Sequence, residues 1–386
     1  MKLTVRLFDD DDDARTEWSD RLADVLGDAG NVAAIAPDAF REGVTTLEDR
    51  QRSARTNRSS AADCVFDDLD VLVVDYDLLE LAAGRAGGGH ETGERIAYLV
   101  RCYSTCRYVV ALNQFTLARV FDTTLQGHVD SFADLNIGSE SLFDMGLWFG
   151  RREEFRPWAW PRLLDEPARL DRLAATLADA MGDRVLTHLR LADSPLKNRL
   201  QRAHLEPLSR TDDPFELTFA RFLSASPLAR DPKDRSWRED HDPLVAAARL
   251  SKWVERVLLP AQDVVIDAPH LASFYPATLA GDPDGTADLT SEATDLPLDH
   301  EQLTDARWMP GWAARPLWAV PSLDPSDAGL LGAATAMEQR VFCEDISRFH
   351  DVTEAAAYYA TFVSGPQERW VRRLENVTYS PPGWDL

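Results

Sequence analysis

The first third of the chain alternates short apolar runs with stretches of helical period, the pattern of βαβ units and a parallel sheet. Leu3–Phe8 reads as a strand and stops at five consecutive aspartates, Asp9 to Asp13. Across 14–28, Trp18, Leu22, Val25 and Leu26 share one helical face, and Gly27 and Gly30 close the segment. Val32–Ala36 is a second strand; residues 39–62, polar and rich in Arg, are a helix or an extended excursion. Leu69–Val74 is the clearest buried strand and runs into Asp75-Tyr76-Asp77. After a glycine-rich loop, Gly84 to Gly89, a helix is expected over Thr92–Tyr103. Tyr108–Leu112 is a fourth strand ending at Asn113, and Phe132–Ile137 a fifth ending at Gly138.

From about 145 to 163 the pattern changes. Trp148, Phe149, Phe155, Trp158 and Trp160 crowd a stretch that also holds Pro157 and Pro161, which marks a junction. Residues 165–192 predict one long amphipathic helix, with Leu170, Leu173, Leu177, Met181 and Val185 near one stripe. Asp213-Pro214 and Asp242-Pro243 read as helix starts, the second leading into Leu244–Leu259. Asp263–Ile266 and Leu317–Val320 read as strands, and 276–305 as an acidic surface loop. Asp351 with Glu354 resembles a capping box opening a helix through Phe362; Pro366 opens a last helix before an irregular tail. The expected fold is α/β. A doubly wound five-stranded parallel sheet occupies 1–145, an aromatic-rich junction with linker helices 146–205, and a larger mixed α/β output or binding domain 206–386.

With 386 residues, 45% of them hydrophobic, the chain can bury more than one core. Lys and Arg total 41 against 65 Asp and Glu, a formal charge of -24. That balance argues against wrapping nucleic acid or lying on an anionic membrane, both of which need a positive face. Cys64, Cys102, Cys106 and Cys343 are too few and scattered for a disulfide scaffold. No apolar run nears the ~18 residues of a membrane span, and residues 1–30 carry no leader pattern. The reading is a cytoplasmic protein of undetermined oligomeric state.

The chemistry concentrates at strand ends. In a doubly wound sheet the carboxyl ends of neighbouring strands face one crevice, so Asp9, Asp10 and Asp75 are expected to meet. Carboxylates that close repel unless a cation offsets them, and Mg²⁺ suits an all-oxygen set. Three features, Leu-Phe-Asp9-Asp10-Asp11, Val-Leu-Val-Val-Asp75-Tyr-Asp-Leu and Tyr-Val-Val-Ala-Leu-Asn113, resemble the receiver domain of response regulators, a flavodoxin-like fold. The resemblance covers about residues 3–145. It implies Asp75 as phosphoacceptor, Asp10 and Asp75 as metal ligands, Asp9 as a supporting ligand and the Asp77 carbonyl as another. It also implies a protein partner, a histidine kinase if phosphotransfer is retained.

Two departures point to a degenerate receiver. Asn113 stands where that family has Ser or Thr, and Gly138 where it has Lys. Losing the Lys removes a contact worth roughly 1.5–3 kcal/mol to a phosphoryl group. The expected function is therefore regulatory or interaction-based, with the receiver-like module controlling or docking a C-terminal partner-binding domain. A phosphorylatable response regulator is the alternative.

An enzyme with a C-terminal active site is the third reading. Its groups would be His241, Asp242, Asp263, Asp267 and His270, or Cys343, Glu344, Asp345 and His350. Asp242-Pro243 is better read as a helix cap, and the surroundings of Cys343 as core. Cys102 and Cys106, with His90 and His128 the nearest further ligands, read as packing residues. Asp282-Pro-Asp284-Gly reads as a solvated turn. Trp308, Trp312 and Trp318 read as core, with an interface surface as the alternative.

Overall fold

Leu3, Val5 and Leu7 of strand β1 (Leu3–Phe8) enter one core and Phe8 at its end enters another, so the N-terminal sheet is covered on two faces. The structure is a computed structural model that describes residues 2–56, 62–78, 92–113, 119–122, 129–151, 154–193, 195–279 (211, 232 and 235 apart), 296, 298–299, 301–323, 340–359 and 368–380. The Gly84–Gly89 loop, His90, His128, the Asp282–Gly285 turn, the Pro366 helix start and the chain after Ser380 lie outside these residues.

Strands β1, β2 (Gly30–Ala34), β3 (Val71–Asp75), β4 (Tyr108–Asn113) and, after the separate strand β5 (Arg119–Asp122), β6 (Leu135–Gly138) supply the N-terminal sheet. Its order is β2-β1-β3-β4-β6, with every pairing parallel. On one face Leu3, Val5, Leu7, Val71, Val73, Val110 and Leu112 pack with Leu22 and Leu26 of helix α1 (Asp12–Leu26). On the other, Phe8, Leu72, Val74, Val109 and Ala111 pack with helices α2 (Pro37–Arg55) and α3 (Gly93–Tyr103). Both faces of the central strands are covered, which is why they read as continuous apolar runs.

The first face is completed from downstream. Helices α4 (Glu166–Leu177) and α5 (Asp242–Trp253) join the same core through Leu170, Leu173, Leu177, Val245 and Leu250. Arg249 of α5 reaches the carbonyls of Leu228, Val129, Asp130 and Ser131. Lys252 donates to those of Ser131 at 3.1 Å and Ala133 at 2.5 Å. Asp234 accepts from Gln51, Arg55, Tyr98 and Tyr103 and ties its segment to α2 and α3.

Beyond the first sheet, β7 (Val265–Asp267) pairs antiparallel with β8 (Leu317–Ala319), and helix α6 (Ala268–Phe274) follows β7 directly. A four-stranded mixed sheet has the order β10-β9-β12-β11, from β9 (Arg340–Cys343), β10 (Arg348–Asp351), β11 (Ala356–Tyr359) and β12 (Glu368–Val371). Strand β13 (Val377–Ser380) returns to pair in parallel with β5.

Four expectations are corrected. The last helix expected from Pro366 is not found in the described residues that follow: Glu368–Val371 is strand β12, paired antiparallel with β11, and Val377–Ser380 is strand β13. The 165–192 helix stops at Leu177 because the backbone of 181–185 bonds to another segment: Ala220 N donates to Met181 O, Phe219 N to Asp183 O and Val185 N to Leu217 O. Asp351 does accept from Thr353 N, but it caps a single turn, and the following residues pair with β12 instead of continuing as a helix. Asp213 closes only a turn, and the helix there, Phe219–Ala225, is capped by Thr218. Trp308, Trp312 and Trp318 are buried in the core. Among the described residues no helix is long and apolar enough to cross a membrane.

Candidate cation site

The direction of winding reverses between β1 and β3, and at such a switch point an open α/β sheet leaves a crevice outside its carboxyl ends. Asp9 follows β1 immediately and Asp75 ends β3. Each of Asp9, Asp10 and Asp75 offers a carboxylate oxygen, and these oxygens lie within 4.8 Å of one another. Among the described residues this is the group of three acidic, His or Cys side chains placed to hold a metal.

The aspartate run divides its labour. Asp9, 1% exposed, accepts from Asp11 N at 2.8 Å. Asp11 caps α1, accepting from Asp13 N at 2.9 Å and Ala14 N at 3.1 Å. Asp12 pairs with Arg15, whose guanidinium also bonds to the carbonyl of Asp9 at 2.9 Å. Asp75 is fully buried and accepts from Asp77 N at 3.0 Å. Gly93 packs against that strand end so closely that a Cβ would lie 2.3 Å from the Asp75 carbonyl oxygen, so only glycine lets α3 begin there. Thr92 bridges to Asp77, and the half-exposed Tyr76 stands at the rim.

Burial, reinforced by the neighbouring Asp10 and Asp11, pushes the Asp9 carboxyl up to about 6 against the bond from Asp11 N. Asp9 therefore holds its proton more tightly in the folded chain than in the unfolded one. Its stabilising contribution is complete below its ordinary value of 3.8 and is lost as pH rises through about 6. In cation-free protein this group is expected to remove on the order of 2 to 3 kcal/mol of stability between about pH 4 and pH 7. Urea midpoints measured against Asp9→Asn check this: the difference between the two proteins should open over that window, and a constant difference would contradict it.

The remaining sequence-predicted positions fall as follows. Asn113 pairs with Gly138 in the ladder between β4 and β6, at the same carboxyl edge as the carboxylates. Lys252 binds carbonyls that precede β6 and therefore lies at the opposite end of the sheet from Gly138. His241 turns away to the Arg101 carbonyl at 3.1 Å, and burial lowers its pKa to about 4. Asp242 pairs with Arg230. Cys343 is buried, its thiol pushed up by burial, while His350 faces Glu354 at 3.3 Å. Cys102 and Cys106 are buried and free.

Of the two clusters weighed in the sequence for a C-terminal active site, Asp267 and His270 of one and Glu344 of the other meet in a buried polar network near α6. Asp267 accepts from His270 Nδ1 at 2.6 Å and Trp158 Nε1 at 2.5 Å. His270 Nε2 lies 3.0 Å from Glu344, which also accepts from Tyr358 and Arg369. Both ring nitrogens of His270 are thus occupied by carboxylates, which leaves neither for a substrate proton. Asp267 and His270 stand three residues apart, but Glu344, Trp158, Tyr358 and Arg369 come from other segments and no spacing links them to that pair. No protein-family model, curated protein or solved structure matches the chain.

Proposed function

We propose that this chain is a regulatory or interaction protein whose N-terminal module is a degenerate receiver-like domain with a divalent-cation site, and that a protein partner reads or is held by the region that follows. The convergence of Asp9, Asp10 and Asp75 at the switch point of a parallel sheet carries this reading. The donor set is all oxygen and anionic, which fits a hard cation such as Mg²⁺. When bound, Mg²⁺ would supply charge neutralisation and a bridge to phosphate oxygens, with the Asp77 carbonyl as a further ligand.

The chain's own residues do the positioning. The amides of Asp11 and Asp77 hold the Asp9 and Asp75 carboxylates. At the fifth strand's end stands Gly138, without the positive charge that would steady a phosphoryl group there. The cationic side chains Arg249 and Lys252 are engaged with carbonyls at the far end of the sheet. These features favour a fold retained for docking over one that turns over phosphate. Incubation with Mg²⁺ and acetyl phosphate, followed by intact mass, tests this. The unmodified mass is expected. A phosphoryl adduct present in the wild type and missing in Asp75→Asn would replace this reading with a working phosphoacceptor.

A further inference from the structure

An open cleft of about 740 Å³ lies between three chain segments, 129–130, 202–210 and 227–228. That is room for a small organic molecule or for a peptide of roughly two or three residues. Its walls are fixed from beneath. The buried Arg249 of α5 donates to the carbonyls of Val129 at 3.2 Å and Asp130 at 3.3 Å, and also to that of Leu228, so one guanidinium joins the first wall to the last. Ser226 Oγ donates to Pro207 O at 3.0 Å and accepts from Leu228 N at 3.1 Å, which brings in the middle wall. Trp253 Nε1, also on α5, donates to His204 O at 2.8 Å. The cleft is therefore formed before a ligand arrives, and binding need not order it.

Val129, Pro207, Pro227 and Leu228 give the cleft apolar surface. The charged residues that line it differ in their partners. Arg202 and Glu206 pair with each other at 2.6 Å. Asp130 on one wall and Arg210 on another pair neither with each other nor with any other side chain among the described residues. The cleft thus presents one unmatched anion and one unmatched cation, too far apart to neutralise each other directly. No aromatic ring lines it among the described residues, so a nucleobase would find no stacking platform there.

We infer that this cleft binds a short apolar peptide with free ends. Its C-terminal carboxylate goes to the Arg210 guanidinium, whose planar fork takes both oxygens. Its N-terminal ammonium goes to the Asp130 carboxylate, and its side chains cover the surface of Val129, Leu228 and the two prolines. Asp130 and Arg210 are exposed, so each end contact is worth only a few-fold in affinity, and apolar contact carries the rest. A simple anion or cation satisfies one end and leaves the other unmatched. No residue of the cleft belongs to the acidic hollow, so this inference stands whether or not that hollow holds a cation.

The dipeptide Leu-Leu is the probe, titrated into the full chain by calorimetry and ligand-observed saturation-transfer NMR. Beside it run N-acetyl-Leu-Leu, which lacks the ammonium, and Leu-Leu amide, which lacks the carboxylate. Saturable binding of one Leu-Leu per chain is expected, with each blocked peptide weaker by about threefold or more. Asp130→Asn should lose the preference for Leu-Leu over its acetyl form and keep the preference over the amide; Arg210→Gln should do the reverse. If either variant lacks the native circular dichroism spectrum, the blocked peptides on the unaltered chain decide. Absence of saturable Leu-Leu binding, equal affinity for all the peptides, or preferences that survive both substitutions would each overturn the inference.

Discussion

Replacing Asp75 by Asn is expected to weaken divalent-cation binding at the proposed site by at least about a hundredfold, since the proposal makes Asp75 a ligand and not merely a supporting group. Asn keeps the shape and can still accept from Asp77 N, so the substitution changes charge more than packing. The same change has an opposite effect on the cation-free protein. Asp75 is buried beside Asp9 and Asp10, and removing one of three mutually repelling carboxylates should raise the urea midpoint of metal-stripped protein. A variant that binds less metal and is more stable without it separates this account from simple misfolding. Equal cation affinity in the two proteins, or a less stable metal-free variant, would contradict it.

Glu344→Ala is expected to destabilise the protein by about 3–5 kcal/mol. Glu344 is 2% exposed and accepts from His270, Tyr358 and Arg369. Burial alone would raise its pKa, but the Arg369 and His270 contacts outweigh that and hold it below the ordinary carboxylate value. Truncation removes a carboxylate that Arg369, Tyr358 and His270 share, and although Arg369 keeps the Pro260 carbonyl at 2.8 Å, the loss of its buried charge partner sets the size of the effect. The carboxylate of Asp267, held low by His270 and Arg315 against the cost of burial, acts in the same sense. Each group's stabilisation is present above the unfolded carboxylate pKa and is lost as pH falls through the folded one. Urea denaturation at neutral pH checks the substitution. A loss below about 1 kcal/mol would mean that the network is not a structural pin.

The N-terminal sheet was legible because its strands are buried on both sides and separated by helices of clear period. Leu69–Val74 and Tyr108–Leu112 could hardly be read otherwise, and the place of Asp75 at the end of the first followed from position alone. Downstream the local signals compete with tertiary ones. Leu170 to Val185 keeps a helical stripe, yet the backbone of 181–185 bonds to 217–220, and the helix ends. Asp351 caps as its sequence suggests, but Ala356–Tyr359 finds a strand partner in Glu368–Val371. Strands β5 and β13 are four residues each and pair across more than 250 positions, so neither carries enough pattern to be seen alone. Asp267, His270 and Glu344 were legible as candidate groups, but their union with Trp158 and Arg369 in one network was not, because those segments meet only once the chain has folded.

Calorimetric titration of metal-stripped wild-type protein with Mg²⁺ near neutral pH tests the central claim most directly. The account predicts one saturable site per chain, carried by the carboxylates of Asp9, Asp10 and Asp75. Heats no different from dilution up to about 10 mM Mg²⁺ would contradict it, since three converging carboxylates that leave such a cation unbound are not a cation site.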